Sequence, residues 1–206
     1  IIPMSGVGKR FKKAGYDTLK PLIKINGASM IEHVRSMYPR NIDVLFICSK
    51  TELDNNPSLI KTLNKADDKA KIVSVKPHKK GPGWAINNAI SSINFEKPTF
   101  VNYCDFFNFW DFSLIDSFIK KNNPDGLIFT YRDQHPHTIW SDSYAHIQNQ
   151  RDRVINIREK KPFTENPEAE FKSSGTYFFK SGKILIESIQ KQIKNQMNAQ
   201  NHHGHF

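Results

Sequence analysis

The first eleven residues, IIPMSGVGKRF from Ile1 to Phe11, combine an apolar run with glycines and cations. Gly6 and Gly8 allow backbone N–H groups to converge on a phosphate group. Lys9 and Arg10 can neutralise the charge of that phosphate. The spacing is neither that of a Walker A loop nor G-x-G-x-x-G. On its own the segment therefore leaves two interpretations open, a phosphate-binding loop and a solvated turn.

An aspartate follows an apolar run in the middle of the chain. Asp105 comes directly after Phe100–Cys104, which is typical of a buried strand. At the carboxyl end of a parallel strand a side chain faces the region where α/β proteins bind ligands. A carboxylate there is also the hard oxygen ligand that Mg²⁺ prefers. Asp105 could merely end the strand, but we favour its assignment to a site.

Two histidines, His135 and His137, flank a proline in a predicted loop. Zinc sites in proteins take three or four side-chain ligands, and further ligands are missing nearby in the sequence. We therefore predict no zinc site here, and leave open a loop that covers an acceptor and a purely structural loop.

The elements that must position these residues follow an α/β pattern, in which short apolar runs alternate with helical spacing. The predicted strands are Ile1–Met4, Val44–Cys48, Ile72–Val75, Phe100–Cys104 and Gly126–Tyr131. Predicted helices begin after Ser29, at Gly81 and near Ser113. Such consecutive strand–helix units predict a mostly parallel central sheet with helices on its faces.

The second half of the chain has a different pattern. Tyr144–Gln148 and Val154–Arg158 are predicted to form a hairpin, followed by a strand at Gly175–Phe179 and an amphipathic helix from about residue 184 to 197. No internal repeat is evident, so we predict one domain over residues 1–206. Because Ile1 begins in mid-strand, we expect this domain to lack its extreme N-terminus. The final segment HHGHF is unlike the end of a domain, so we also expect a C-terminal portion to be missing.

Composition restricts the class of protein. The chain has 206 residues, a formal net charge of +10, and only Cys48 and Cys104 as cysteines. Two thiols in apolar runs favour a reducing, cytoplasmic compartment over a disulfide framework. No run approaches the roughly 20 apolar residues of a membrane span, so we expect no membrane partner. The cations are scattered, which suits anionic small molecules as well as nucleic acid.

A second motif, Thr18–Val34, favours the phosphate-binding interpretation of the first eleven residues. The segment Thr18–Val34 reads TLKPLIKINGASMIEHV. With Ser5–Phe11, it resembles the sugar-phosphate nucleotidylyltransferases (NTP transferases), a GT-A-like family found in bacterial capsule and surface polysaccharide pathways. That family opens with A-G-x-G-[ST]-R-[FL], then P-K-P-L, then G-x-x-[ML]-I-x-[HY]. Leu19–Leu22 and Gly27–His33 match the second and third motifs in order and spacing.

The resemblance continues to about residue 180. His78–Pro82 resembles the segment that surrounds the base, and Asp105 lies where the family holds its magnesium-binding aspartate. Arg158–Pro162 resembles the E-K-P segment with one residue extra, and Ser174–Phe179 resembles the G-x-Y-x-F strand. The implied fold is a GT-A/Rossmann-like three-layer sandwich.

The resemblance also implies an activity and its residues. The chain would transfer a nucleoside monophosphate from an NTP, with a leaning to CTP, to a sugar- or polyol-phosphate, releasing pyrophosphate with Mg²⁺ as cofactor. The implied catalytic residues are Arg10 and Lys20, and the implied magnesium ligand is Asp105. The implied nucleotide-binding residues are Met4, Ser5, Gly6, Val7, Gly8, Lys9, Lys76 and Gly81. The implied acceptor-binding residues are Asn102, Glu159, Lys160, Lys161 and Gly175.

Some positions depart from the family pattern. Lys9 replaces a Ser or Thr, and the extra residue leaves open whether Lys160 or Lys161 is the functional lysine. A second metal-binding aspartate has no clear counterpart. A homo-oligomer is compatible with the resemblance, which does not fix the oligomeric state.

Two other functions compete with this one. A GT-A glycosyltransferase would use a sugar nucleotide and usually carries D-x-D, whereas the segment after Cys104 reads Asp105-Phe106-Phe107. A basic nucleic-acid-binding module would use the net charge and need no triphosphate. The combination of Gly6–Arg10, Lys20 and Asp105 favours the nucleotidylyltransferase, and no nucleic acid is expected as a partner.

Overall fold

The computed structural model describes residues 1–6, 15, 18–133 and 144–195. The strands in chain order are β1 (Ile2–Met4), β2 (Lys24–Ile25), β3 (Ala28–Ser29), β4 (Leu45–Ser49), β5 (Lys71–Val75), β6 (Thr99–Asn102), β7 (Gly126–Tyr131), β8 (Ala145–Gln150), β9 (Arg153–Glu159) and β10 (Phe171–Phe179). The helices are α1 (Met30–Ser36), α2 (Lys50–Asn55), α3 (Pro57–Ala66), α4 (Pro82–Asn88), α5 (Phe112–Asn122) and α6 (Gly182–Asn195).

The first half of the chain forms a parallel sheet in the order β1-β4-β5. Ile2 lies opposite Phe46, and Leu45 lies opposite Lys71. All of β4 is buried, as expected for an apolar strand with helices on both faces. One face packs on α4 and α6 and the other on α1 and α3. Because β1 and β4 run in the same direction, the residues that follow them lie at the same edge of the sheet.

β1 also lies beside β6. The backbone N of Ile1 donates to the carbonyl O of Phe100 (2.7 Å), and the N of Asn102 donates to the carbonyl O of Ile1 (3.0 Å). This alternation is typical of parallel strands. The carboxyl ends of β1 and β6 therefore lie at the same edge of the fold.

The second half forms an antiparallel sheet around β10. One side of β10 pairs with β7. Its other side pairs with β6 along Thr176–Phe179 and with β8 at Phe171 and Lys172. β9 follows as the neighbour of β8. Between the end of β6 and the start of β8, residues 173–175 of β10 have no strand partner on this side, although the carbonyl O of Gly175 accepts from the backbone N of Tyr103 (2.9 Å). This uncovered stretch leaves room for a site.

The α/β class predicted from the sequence is confirmed, with its parallel part in β1, β4 and β5. The α1 prediction also holds, because Ser29 and Glu32 form a reciprocal capping box. Apart from β7, the predicted strand bounds differ from the observed ones by one or two residues, and β10 begins at Phe171 rather than Gly175. The helices α2 and α3 were not predicted. No helix in the described part of the chain has the length and apolar character to span a bilayer.

Candidate active site

A pocket of about 190 Å³ opens where β6 ends and β8 begins, over the uncovered stretch of β10. The turn after β6 contributes Asp105, and the end of β9 contributes Glu159. Aromatic rings form much of the remaining wall, with members Tyr103, Phe106, Tyr144 and Tyr177. Carboxylates and rings from four separate segments therefore meet in this pocket, which we call the acceptor pocket.

Lys20 reaches the edge of this pocket from a distant part of the sequence. It begins a single 3₁₀ turn, Lys20–Leu22, in which Pro21 is buried and presets the backbone. Lys20 Nζ donates to Asp105 Oδ2 in an ion pair, and each side chain remains about a quarter exposed. The structure thus brings together the predicted catalytic lysine and the predicted metal ligand. A lysine and a carboxylate at one partly open edge can bind an anion together with its counter-cation.

Asn102 fixes the turn that carries Asp105. Its amide Nδ2 donates to the carbonyl O atoms of Tyr103 (2.8 Å) and Phe106 (3.0 Å). Its Oδ1 accepts from Tyr38 Oη (3.0 Å) and Thr176 Oγ1 (2.6 Å). The side chain is only 1% exposed, and these four bonds use its full hydrogen-bonding capacity. These bonds fix the turn that carries Asp105, and the contact of Asn102 with an acceptor stays a prediction for which one of them must be exchanged.

Gly175 sets the distance between β10 and the aromatic wall. Its φ is +70°, in the region that favours glycine, and a Cβ there would lie 2.8 Å from Cδ2 of Phe106 and 3.2 Å from Cδ2 of Tyr103. A Cβ contact of 2.8 Å is essentially never found, so the ring of Phe106 would have to shift. Gly175 therefore shapes the acceptor pocket, to which it was assigned from the sequence, by leaving room for the two rings.

Glu159 lines the pocket, whereas neither lysine after it does. Lys160 has an unusual φ of +55° for a non-glycine residue, and its backbone N donates to the carbonyl O of Tyr144 (3.0 Å). Its Nζ lies 3.6 Å from Glu159 Oε1. Lys161 is exposed. Lys160 thus lies next to the carboxylate that lines the pocket.

The two tyrosines on the floor of the pocket remain neutral phenols. Burial raises the pKa of Tyr103 well above its ordinary value, and the neighbouring Tyr177 and the carboxylates of Glu159 and Asp105 add to this effect. Burial also raises the pKa of Tyr177, although its hydrogen bonds act in the opposite direction. Their ring centroids are 5.9 Å apart, and Ser173 Oγ donates to Tyr177 Oη (2.8 Å).

The predicted nucleotide residues that follow β1 lie near the segment after β5. Ser5 is buried, and its Oγ is 3.1 Å from His78 Nε2. Burial, and then the charge of Lys80, lower the pKa of His78, so the imidazole is neutral at pH 7. His78 was not among the predicted site residues, although it belongs to the segment that resembled the base-binding region. Its Nδ1 accepts from the backbone N of Lys80 (3.3 Å), so both ring nitrogens have protein partners and the imidazole joins the segment after β5 to Ser5.

Other predicted nucleotide residues have varied surroundings. Gly81 has φ +88° and precedes α4, and Lys76 is exposed after β5. The side chain of Met4 is buried in the core, which leaves its backbone for any ligand contact. The predicted site residues Val7, Gly8, Lys9 and Arg10, and the loop residues His135 and His137, lie outside the described residues.

The donor set at Asp105 fits magnesium held largely by a substrate. Within residues 1–6, 15, 18–133 and 144–195, no group of three or more His, Cys, Asp or Glu side chains could hold a metal ion. Mg²⁺ often uses one or two protein carboxylates and completes its shell with water and substrate phosphates. Asp105 can supply one such carboxylate ligand, because its side chain is a quarter exposed, although its Oδ2 pairs with Lys20 in this structure.

Comparisons with known proteins agree with this geometry. The sequence model of the family described as nucleotidyl transferase matches residues 1–203. No curated protein sequence matches the chain. Among solved structures, a nucleoside-diphosphate-sugar pyrophosphorylase from Vibrio cholerae RC9 is 20% identical with a TM-score of 0.71, and covers 100% of this chain and 82% of its own.

Two further solved structures are similar. A putative glucose-1-phosphate thymidylyltransferase from Bacillus anthracis, solved with sucrose, is 17% identical with a TM-score of 0.69, covering 94% of this chain and 73% of its own. An inositol-1-phosphate CTP transferase from T. maritima is 13% identical with a TM-score of 0.68, covering 94% and 80%. At these identities the similarity shows a common fold.

Proposed function

Because the chain belongs to the nucleotidyl transferase family and is an enzyme of that kind, we propose that it joins a nucleoside monophosphate to a sugar- or polyol-phosphate. The observation that carries this proposal is the ion pair of Lys20 and Asp105 at the edge of the acceptor pocket. The proposal extends to CTP as the donor, to surface polysaccharide precursors as products and to the cytoplasm as location, on the resemblance of the motifs.

The reaction is an in-line displacement at phosphorus. An oxygen of the acceptor phosphate forms a bond to the α-phosphorus of the NTP. The bond from that phosphorus to the bridging oxygen breaks, and pyrophosphate leaves with the electron pair. The acceptor phosphate is largely ionised at pH 7, so the protein need not remove a proton. Its task is to align two anions and to neutralise their repulsion.

Each residue of the site has a part in this task. Lys20 neutralises the α-phosphate, and to do so it exchanges its contact with Asp105 for one with the phosphate oxygens. Arg10 stabilises the charge that moves onto pyrophosphate. The backbone N–H groups at Gly6 and Gly8 bind phosphate oxygens. Asp105 would hold Mg²⁺, which when bound supplies further charge neutralisation at the phosphates.

The test is a pyrophosphate-release assay with each NTP, Mg²⁺ and a panel of sugar and polyol phosphates. We expect turnover with at least one pair, and a loss of about 100-fold or more in kcat/KM for Lys20→Met, since one charge-stabilising group is removed. Lys24→Met is the matched control, because Lys24 is an exposed lysine four residues further along. A folded protein without turnover across the panel, or equal effects of both variants, would contradict the proposal.

A further inference from the structure

The acceptor pocket has an unusual combination of walls for a substrate that carries a phosphate. Four aromatic rings and two carboxylates line it, and among the described residues no cationic side chain does. The two carboxylates, Asp105 and Glu159, come from opposite sides, one after β6 and one at the end of β9. Lys20 compensates the charge of Asp105, whereas Glu159 has only the 3.6 Å contact with Lys160, so the less compensated negative charge of the pocket lies at Glu159.

The four rings form two contacting pairs in the wall of the pocket. Phe106 and Tyr144 meet edge to face with centroids 5.4 Å apart, and Tyr103 and Tyr177 are tilted at 5.9 Å. All four residues are partly exposed. The negative face of an aromatic ring attracts a cation, and proteins bind ammonium groups against such rings.

The pocket offers neutral hydrogen-bonding groups as well as charge, since the phenols of Tyr103, Tyr144 and Tyr177 line it. Ser173 Oγ already donates to Tyr177 Oη and accepts from the backbone N of Gly175 (3.2 Å). The charged group beyond Asp105 is the Glu159 carboxylate, which is 43% exposed before a substrate enters. Covering a carboxylate without a charged or hydrogen-bonding partner is costly, whereas an ammonium group compensates it.

Lys160 is the present neighbour of Glu159, and the pair is weak. Its N–O separation is 3.6 Å and both side chains are more than a third exposed, so the pair contributes little to stability. An entering ammonium group can replace Lys160 at Glu159. The released lysine is then available to the phosphate at the other end of the same acceptor.

We propose that the acceptor is a phosphate monoester whose alcohol part carries an ammonium group, with that group bound between Glu159 and the aromatic rings. This inference rests on the proposed nucleotidyl transfer and narrows its substrate class to amino sugar or amino alcohol phosphates. The bonds made and broken are those given above, and the ammonium group takes no part in them.

Matched acceptors test the charge directly. Phosphocholine is compared with 3,3-dimethylbutyl phosphate, which has the same shape without the charge, and glucosamine 1-phosphate with glucose 1-phosphate. Turnover is followed as pyrophosphate release, and binding without NTP is followed by calorimetry. We expect the charged member of at least one pair to have a kcat/KM and an affinity about ten-fold higher or more. The pair that responds tells an amino alcohol from an amino sugar.

Glu159→Gln keeps the size of the side chain and removes its charge. We expect this variant to lose the preference for the charged acceptor. The KM for that acceptor should rise and its calorimetric affinity should fall, while the KM for the NTP stays unchanged. Glu165→Gln is the control, because Glu165 is an exposed carboxylate that does not line the pocket. If the natural protein turns over the neutral acceptor of each pair as well as or better than the charged one, the inference is wrong and the proposed nucleotidyl transfer still stands. Absence of turnover with every acceptor overturns the proposed function, and the inference with it.

Discussion

At the scale of residues, Gly175 determines how closely the rings of the acceptor pocket approach β10. Gly175→Ala adds a Cβ that overlaps Phe106 and occupies a positive-φ position. We expect a loss of about 1 kcal/mol or more in the free energy of unfolding, and an increase in KM for the acceptor that exceeds any increase for the NTP. Thermal unfolding and initial rates measure the two effects.

Gly27 provides the control for this substitution. Its φ is +83°, but a Cβ there would meet nothing within 4 Å. Gly27→Ala should therefore reproduce the backbone penalty and leave the KM for the acceptor unchanged. An acceptor KM that is unaffected in Gly175→Ala would show that the ring positions do not matter for acceptor binding.

The contact of Lys20 with Asp105 could be predicted from the sequence, because each residue belongs to a recognisable motif although the two are 85 residues apart. The hydrogen-bonding role of Asn102 could not be predicted. Its four hydrogen bonds join Tyr38, Thr176 and the turn after β6, and nothing in the local sequence distinguishes a buried clamp from a ligand-binding amide. Tyr144 was likewise beyond prediction as a pocket residue, because only the pairing of β8 with β10 brings it there.

At the scale of elements, the chain before β10 is held by one carboxylate. Glu170 accepts from the backbone N of Phe163 (2.9 Å) and of Thr164 (2.6 Å), and pairs with buried His146 Nδ1 (2.6 Å). Burial alone would raise the pKa of Glu170, but the hydrogen bond that Thr164 Oγ1 donates to it (2.7 Å), together with those from the two backbone N atoms and His146, lowers it below its ordinary value of 4.5. The ionised form is therefore stabilised by folding.

A pH dependence follows from this lowered pKa. The stabilisation is fully present above about pH 4.5 and is lost as the pH falls through the lower pKa of the folded state. We expect Glu170→Gln to be less stable than the natural protein by about 1–3 kcal/mol at pH 7, with the difference shrinking below pH 4.5. Urea unfolding at several pH values measures it, with Glu165→Gln as control. A difference that stays constant with pH would contradict the assignment to the charge of Glu170.

The predicted elements were those with a strong local signal. The strand at Gly126–Tyr131 has the predicted bounds, and α1 begins at its capping box. The unpredicted helix α3 also carries a signal, since Pro57 stands in its first turn and Leu59, Leu63 and Ala66 are buried at helical spacing. The antiparallel role of β10 had no such signal, because long-range pairing decides which strands lie beside it.

At the scale of the whole molecule, the proposed site lies where the parallel and antiparallel sheets meet. β1 delivers Ser5 toward His78 on the proposed nucleotide side, and β9 and β10 deliver Glu159 and Ser173 on the acceptor side. β6 joins the two, since it lies beside β1 and pairs with β10, and Asp105 follows it. At this position one carboxylate lies between the two proposed substrate sides. The net charge of +10 adds a general attraction for polyanions that salt screens.

The most direct test of this account is phosphorus NMR of the protein with CTP, Mg²⁺ and an acceptor phosphate, comparing Asp105→Asn with Asp116→Asn. Asp116 is an exposed aspartate paired with Lys120 on α5, and its substitution controls for the loss of one carboxylate. The account predicts equal amounts of pyrophosphate and a new diphosphate product from the natural protein and from Asp116→Asn, and neither from Asp105→Asn with its thermal unfolding unchanged. Product formation by Asp105→Asn at the natural rate would contradict it.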